Sequence, residues 1–216
     1  MSSAVTLSNV SLLSCVRRIG DWAREVPVTV ALTFFALAAS AGPDVAECLA
    51  FDRGAIASGQ VFRTLTGHFT HWTFEHTVWD VAVFVVLGAW CERRNRTTFL
   101  FTLLLGIGLI DAGVWLLRPD LAAYRGLSGL DSALFVLAAA HYAADARRTA
   151  DRSGMLVAAG AVALFVGKTL YETLAGRTIF VDSTSSGFEP LVLAHLLGAA
   201  AAAVVATGAI AIRRKS

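Results

Sequence analysis

Charge is what this sequence lacks most. Only 16% of its 216 residues are charged, against about a quarter in a soluble domain. Hydrophobic residues make up 56%, and the mean hydropathy is +0.64. The deficit argues against a soluble helical bundle, whose helices need charged outer faces. Cysteine is also scarce. Cys15, Cys48 and Cys91 fall on different loops or span ends, with neither metal-ligand spacing nor an obvious disulfide pair. The string LLSC ending at Cys15 superficially resembles a lipoprotein cleavage site, but no basic region and apolar core precede it, so no cleavable leader is expected. No internal repeat is visible. The net charge of +2 offers no basis for a nucleic-acid partner.

Long apolar runs fill the space that charge leaves. Residues 26–43 and 190–212 carry no Asp, Glu, Lys or Arg, and each is near the roughly 20 residues needed to cross a bilayer. Four more stretches, 76–91, 97–117, 127–144 and 153–174, are interrupted by one or two ionisable residues. The expectation is an all-α polytopic membrane protein: a cytoplasmic segment 1–25 with an interfacial helix around Trp22, a six-helix membrane domain 26–212 and a basic tail 213–216.

The basic residues between these stretches fall into two sets. Arg17, Arg18, Arg24, Arg93, Arg94, Arg96, Arg147, Arg148, Arg152, Arg213, Arg214 and Lys215 lie on one side; Arg53, Arg63, Arg118, Arg125 and Arg177 lie on the other. Cytoplasmic loops carry the excess of Lys and Arg, so both termini are expected in the cytoplasm, which requires an even number of spans. On the external side, the loop 43–70 is long enough to suggest function. A second external segment, 176–190, is rich in Ser, Thr and Gly, ends at Pro190 and reads as a mobile lid.

Ionisable groups at bilayer depth cost about 2.5–3.5 kcal/mol each on insertion scales, so each calls for an explanation. Lys168 and Glu172, four apart on one helix face, can neutralise each other. Asp111 reads as a structural hydrogen-bonding group with Arg118 a turn beyond, and His141 sits where a helix C-terminus favours it. His68, His71 and His76 make a His-rich run, but no second cluster of carboxylates or thiols accompanies it, so neither a metal nor another cofactor is expected. The remainder sort by depth. His76, Ser128 and His195 each lie near the external start of a helix, with Asp80 one turn deeper than His76. Ser128 and His195 can meet if their helices are neighbours, and a serine hydroxyl becomes a nucleophile when a histidine accepts its proton. Gly126 and Gly129 flank Ser128 in GLSG, allowing a tight turn and close approach of a substrate backbone. The helix N-terminus adds unpaired N–H groups suited to an oxyanion.

These blocks resemble the rhomboid intramembrane serine proteases. The similarity lies in G-x-S-G at Gly126–Gly129, in AHLLG at 194–198, and in FRTLTGHFTHWTFEHTVWD at 62–80, where Arg63, His71, His76 and Asp80 occupy family positions; Glu92 followed by Arg93 resembles the acidic close of the family's second helix. It spans about residues 60–205. The compact six-helix core and the GHFTHW…EH…WD block resemble more narrowly the rhombosortases, a bacterial subfamily associated with surface proteins bearing C-terminal Gly-Gly anchors.

The resemblance implies a Ser128–His195 dyad in the bacterial inner membrane, opening to the periplasmic side. It implies oxyanion stabilisation by His76 and Asp80, and substrate or loop support from Arg63, His71, Gly126, Gly129 and Ser132. The implied substrates are membrane proteins with a C-terminal transmembrane segment, cleaved near its external end within the lipid bilayer. Three departures qualify the match. Asp80 stands where rhomboids commonly have Asn, so it is protonated, turned away, or used to orient His76. Ser132 replaces the tyrosine that often stacks on the base, leaving Asp131 or a water to hold it. Gly198-x-x-x-Ala202 replaces a two-glycine repeat. Two alternatives stand beside the protease: a catalytically inactive rhomboid-like binding protein, and a small transporter using Asp80, Asp111, Lys168 and Glu172, which the missing inverted repeat disfavours.

Overall fold

The structure, a computed structural model, describes residues 12–176, 178 and 191–213. Segment 176–190 thus falls almost entirely outside the described residues, together with its closing Pro190 and the basic tail beyond Arg213. The chain opens with helix α1 (Leu12–Glu25), then α2 (Pro27–Ala39), started by a proline at its first turn, a position where the missing N–H is harmless. The N-terminus of α2 is held by a distant carboxylate. Glu92 Oε2 accepts from Thr29 N and Thr29 Oγ1, both at 2.8 Å, and Oε1 from Val28 N at 3.2 Å. Glu92 is 2% exposed. Its charge sits where the positive end of the helix dipole favours it.

The expected span over 26–43 is not one straight helix. α2 has 13 residues, about 20 Å at 1.5 Å per residue, against a hydrocarbon thickness of about 30 Å. At Ser40–Gly42 the chain bends by 117° into α3 (Pro43–Leu49), a broken span or a re-entrant turn. A two-residue strand β1 (Phe51–Asp52), the short helices α4 (Arg53–Ala57) and α5 (Arg63–Thr66) and a single 3₁₀ turn at Gly67–Phe69 complete the loop before α6.

α6 (Phe74–Arg94) is capped by Thr73, whose Oγ1 accepts from His76 N at 3.1 Å; α7 (Arg96–Leu117) is capped by Asn95, whose side chain accepts from Thr98 N. Strand β2 (Ala123–Tyr124) pairs antiparallel with β1, Phe51 opposite Tyr124. Arg53 reaches from the end of β1 to the C-terminus of α7, donating to the carbonyls of Val114, Trp115 and Arg118 at 2.8, 3.1 and 2.9 Å and so gathering the last carbonyls of the helix under one guanidinium. α8 (Ser128–Arg148), α9 (Arg152–Ala175) and α10 (Val192–Arg213) follow.

Among the described residues four helices are long and apolar enough to cross a membrane: α6, α7, α9 and the stretch 192–209 of α10; the α2–α3 pair makes five if counted as one broken span. The expected sixth is α8, which fails on composition rather than length. Ser128, Asp131, Ser132, His141 and Asp145 dilute it. Its position explains the tolerance, because α8 packs against α6, α7, α9 and α10 and is walled off by them. Leu130, Leu134 and Leu137 on it and Leu127 just before it are fully buried, with Phe84, Phe99 and Ile110 of the neighbouring helices. The outer helices show the opposite pattern. Leu174 is 86% exposed, Leu164 75% and Leu116 73%; a belt of such residues is a liability in water and a solvent-matched surface in lipid. The chain is a multi-pass membrane protein.

Candidate active site

Ser128 is the first residue of α8, and the turn into it depends on Gly126, whose φ of +126° favours glycine. A Cβ there would also lie 3.2 Å from the His76 ring and 3.4 Å from Asp80 Oδ2. Gly126 N donates to Gly67 O at 3.3 Å, and the buried Tyr124 hydroxyl donates to Gly126 O at 3.1 Å. Burial raises the Tyr124 phenol above its ordinary range, so it remains a donor. The approach to the serine is thereby tied to the 3₁₀ turn and to the β1–β2 pair.

His195 lies in the first turn of α10, 4% exposed. Its Nε2 stands 3.1 Å from Ser128 Oγ, within hydrogen-bond distance. Close helix packing sets that distance. A Cβ on Gly129 would meet Ile110 Cδ1 at 2.8 Å and Ala194 O at 3.2 Å, and one on Gly198 would run into the Gly129 carbonyl oxygen. The two glycines let α8 and α10 touch backbone to backbone within a turn of Ser128 and His195. In α8 the first intrahelical bond to the preceding loop runs from Asp131 N to Leu127 O, leaving the N–H groups of Ser128 and Gly129 at the helix mouth without an intrahelical acceptor.

The other side of His195 holds a residue that sequence reasoning assigned elsewhere. Its Nδ1 is 3.2 Å from Glu172 Oε2, and the same oxygen accepts from Lys168 Nζ at 2.7 Å. The i,i+4 pair on α9 was legible as a pair, but its register against α10 was not. The His195–Glu172 contact has ion-pair distance but lies off the direction of a hydrogen bond. Neither Asp131 nor Ser132 holds the base. Ser132 Oγ donates to Ser128 O at 2.8 Å within its own helix, and Asp131 Oδ1 is buried with no hydrogen-bond partner among the described residues.

His71, His76 and Asp80 converge beside Gly126. Asp80 Oδ2 is 3.2 Å from His76 Nε2 and 3.4 Å from His71 Nε2, so the carboxylate faces both rings. His71 Nδ1 also meets Ser40 Oγ at 3.0 Å, linking the end of α2 to the loop that leads into α6. Burial lowers the His71 pKa from its usual value, overriding the opposite pull of Asp80. Among the described residues no group of three or more His, Cys, Asp or Glu is arranged to hold a metal ion. His68, fully buried, pairs with Asp111 at 3.1 Å, while Arg118 pairs with Asp120. Arg63 is further out, donating to the carbonyls of Glu47 and Ala50 at 2.7 and 3.0 Å, which fastens α5 to the end of α3.

The arrangement offers a hydroxyl hydrogen-bonded to an imidazole, a helix mouth with free N–H groups, and a second imidazole beside a carboxylate. Comparison with known families finds a match to the model described as the Rhomboid domain, over residues 58–212. No curated protein matches the chain, and no solved structure does.

Proposed function

The chain belongs to the rhomboid family, and on that premise we propose that it is an active intramembrane serine endopeptidase using Ser128 and His195. The observation that carries the reading is the 3.1 Å contact between Ser128 Oγ and His195 Nε2. Ser128 Oγ attacks the scissile carbonyl carbon while its proton passes to His195 Nε2. The carbonyl oxygen becomes an oxyanion facing the N–H groups at the mouth of α8 and the His76 ring, which Asp80 orients. Collapse breaks the C–N bond, the amine takes the proton from His195, and an ester remains on Ser128. Water, losing a proton to His195, then attacks that ester; the bond between the acyl carbon and Ser128 Oγ breaks, His195 returns the proton to Oγ, and the carboxyl product leaves.

Six spans follow if α8 and the α2–α3 pair both count, with α8 enclosed by its neighbours. The excess of arginine at the opposite ends of the helices directs both termini to the cytoplasm and Ser128 to the outer side of a bacterial inner membrane. The substrate is a membrane protein with a C-terminal transmembrane anchor of the Gly-Gly type, in line with the rhombosortase-like block at 62–80. Cleavage falls near the external end of the anchor, where small residues let the helix unwind into the site.

Co-expression with a Gly-Gly-anchored reporter tests this. Wild type should release the reporter domain and Ser128→Ala should leave it anchored; equal release by both would refute the mechanism. The second reading, an inactive relative that binds membrane clients, draws on Asp80, an acceptor where an oxyanion calls for a donor. It predicts that wild type holds the reporter without cutting it.

A further inference from the structure

Glu172 is almost fully buried, and in a membrane-facing helix such a carboxylate is costly unless cations meet it. Lys168, one turn away on α9, meets that need at 2.7 Å. Neutralisation alone would be complete there, and the pair could face any side of α9. Instead the oxygen that Lys168 binds is also turned to His195 Nδ1 at 3.2 Å. A chain of contacts thus runs from Lys168 through Glu172 and His195 to Ser128.

We propose that Glu172 is the positioning residue of this site, holding His195 by its Nδ1–H, with Lys168 keeping the carboxylate ionised and fixed. The inference rests on the protease reading above and adds a third member to its pair. The chemistry gains from such a partner. For Nε2 to accept the serine proton, the neutral ring must carry its hydrogen on Nδ1, and an acceptor beside Nδ1 selects that tautomer. When Nε2 takes the proton the ring becomes a cation, and the adjacent carboxylate stabilises it without taking a proton itself. Ser132 is spent on its own helix, and Asp131 has no hydrogen bond to the ring, so among the described residues Glu172 is the carboxylate at Nδ1. The off-line geometry fits an empty site, since catalytic hydrogen bonds tighten when substrate binds.

Two variants of the full-length protein in detergent micelles separate positioning from neutralisation. Glu172→Gln keeps the shape and removes the charge. The double variant Lys168→Met/Glu172→Gln also removes the ammonium that would otherwise be stranded. Turnover of the anchored reporter is measured with kcat and KM resolved, beside wild type and Ser128→Ala, with thermal melting as the check on folding. Both variants should lose kcat by at least about 100-fold, toward the roughly 10⁴-fold seen when a histidine base loses its orienting carboxylate, while KM stays within about twofold and the double variant melts near wild type. Glu172→Asp should recover part of the loss. If the single variant fails to fold, the double variant decides. Wild-type kcat in the double variant would show that Glu172 serves only to balance Lys168 and would overturn the proposal, leaving the protease reading intact. Wild type no more active than Ser128→Ala would overturn both.

Discussion

Gly198→Ala tests how helix packing produces the reactive pair. The added methyl would be driven into the Gly129 carbonyl oxygen, 3.0 Å from its carbon and 3.4 Å from Ala133 N, all backbone atoms that cannot rotate away. Relief requires α8 and α10 to separate by about 1.5 Å, the gap between such a clash and ordinary contact near 3.5 Å. Ser128 and His195 sit on those two helices, so their 3.1 Å contact would open to roughly 4.5 Å, beyond a hydrogen bond. A displacement of that size costs about 100-fold in rate, and forced overpacking costs about 1–3 kcal/mol of stability. The assay is reporter turnover beside a thermal melt in micelles. Gly208→Ala on the same helix is the control, because a Cβ there meets nothing within 4 Å; it should leave turnover unchanged. Equal turnover by the two variants would refute the idea that glycine contact sets the distance between serine and histidine.

Other perturbations reach other parts of the scaffold. Glu92→Ala removes the carboxylate that accepts three hydrogen bonds at the start of α2 and strands buried N–H groups, so it should destabilise by about 3–5 kcal/mol; a melt within 0.5 kcal/mol of wild type, on the order of a neutral surface change, would contradict this. Gly126→Ala places a side chain at φ +126° and against His76, and should lower kcat by at least about tenfold, given about 1–3 kcal/mol of backbone strain; undiminished kcat would mean that the turn tolerates it. For His71, burial lowers the folded pKa, so the unfolded chain binds the extra proton first. Its contribution to stability is full above about pH 6.5, the ordinary histidine value, and is lost as pH falls below it. His71→Gln should flatten that part of the melting profile, and an unaltered slope would count against the assignment.

How legible the molecule was in its sequence varies with the kind of interaction. The helices from α6 to α10 fall close to their apolar runs because hydrocarbon demands length and composition, both local properties. The break after α2 was not visible: 26–43 reads as one uncharged run, while the bend at Ser40–Gly42 depends on Ser40 meeting His71 and on Glu92 fixing the other end of the helix. Ser128 and His195 stood out because glycines and a histidine at the head of an apolar run have few uses there. Lys168 and Glu172 looked self-sufficient, and only the packing of α9 against α10 reveals that their shared oxygen faces His195. Asp80 was readable as an anomaly, with orienting His76 among the three roles open to it, but its second contact was not, since His71 approaches from the loop and not from its own helix. Asp111 likewise finds His68 across the fold instead of the nearby Arg118.

The central claim is that His195 makes Ser128 a nucleophile. Reaction of the intact protein in micelles with a fluorophosphonate, followed by peptide mass spectrometry, reads that property without any substrate. The account predicts a phosphonyl adduct on Ser128 in wild type, none in Ser128→Ala, and labelling slowed by at least about 100-fold in His195→Ala, the lower range for loss of a general base. A wild-type protein that stays unlabelled, or a His195→Ala variant labelled at Ser128 as fast as wild type, would contradict it.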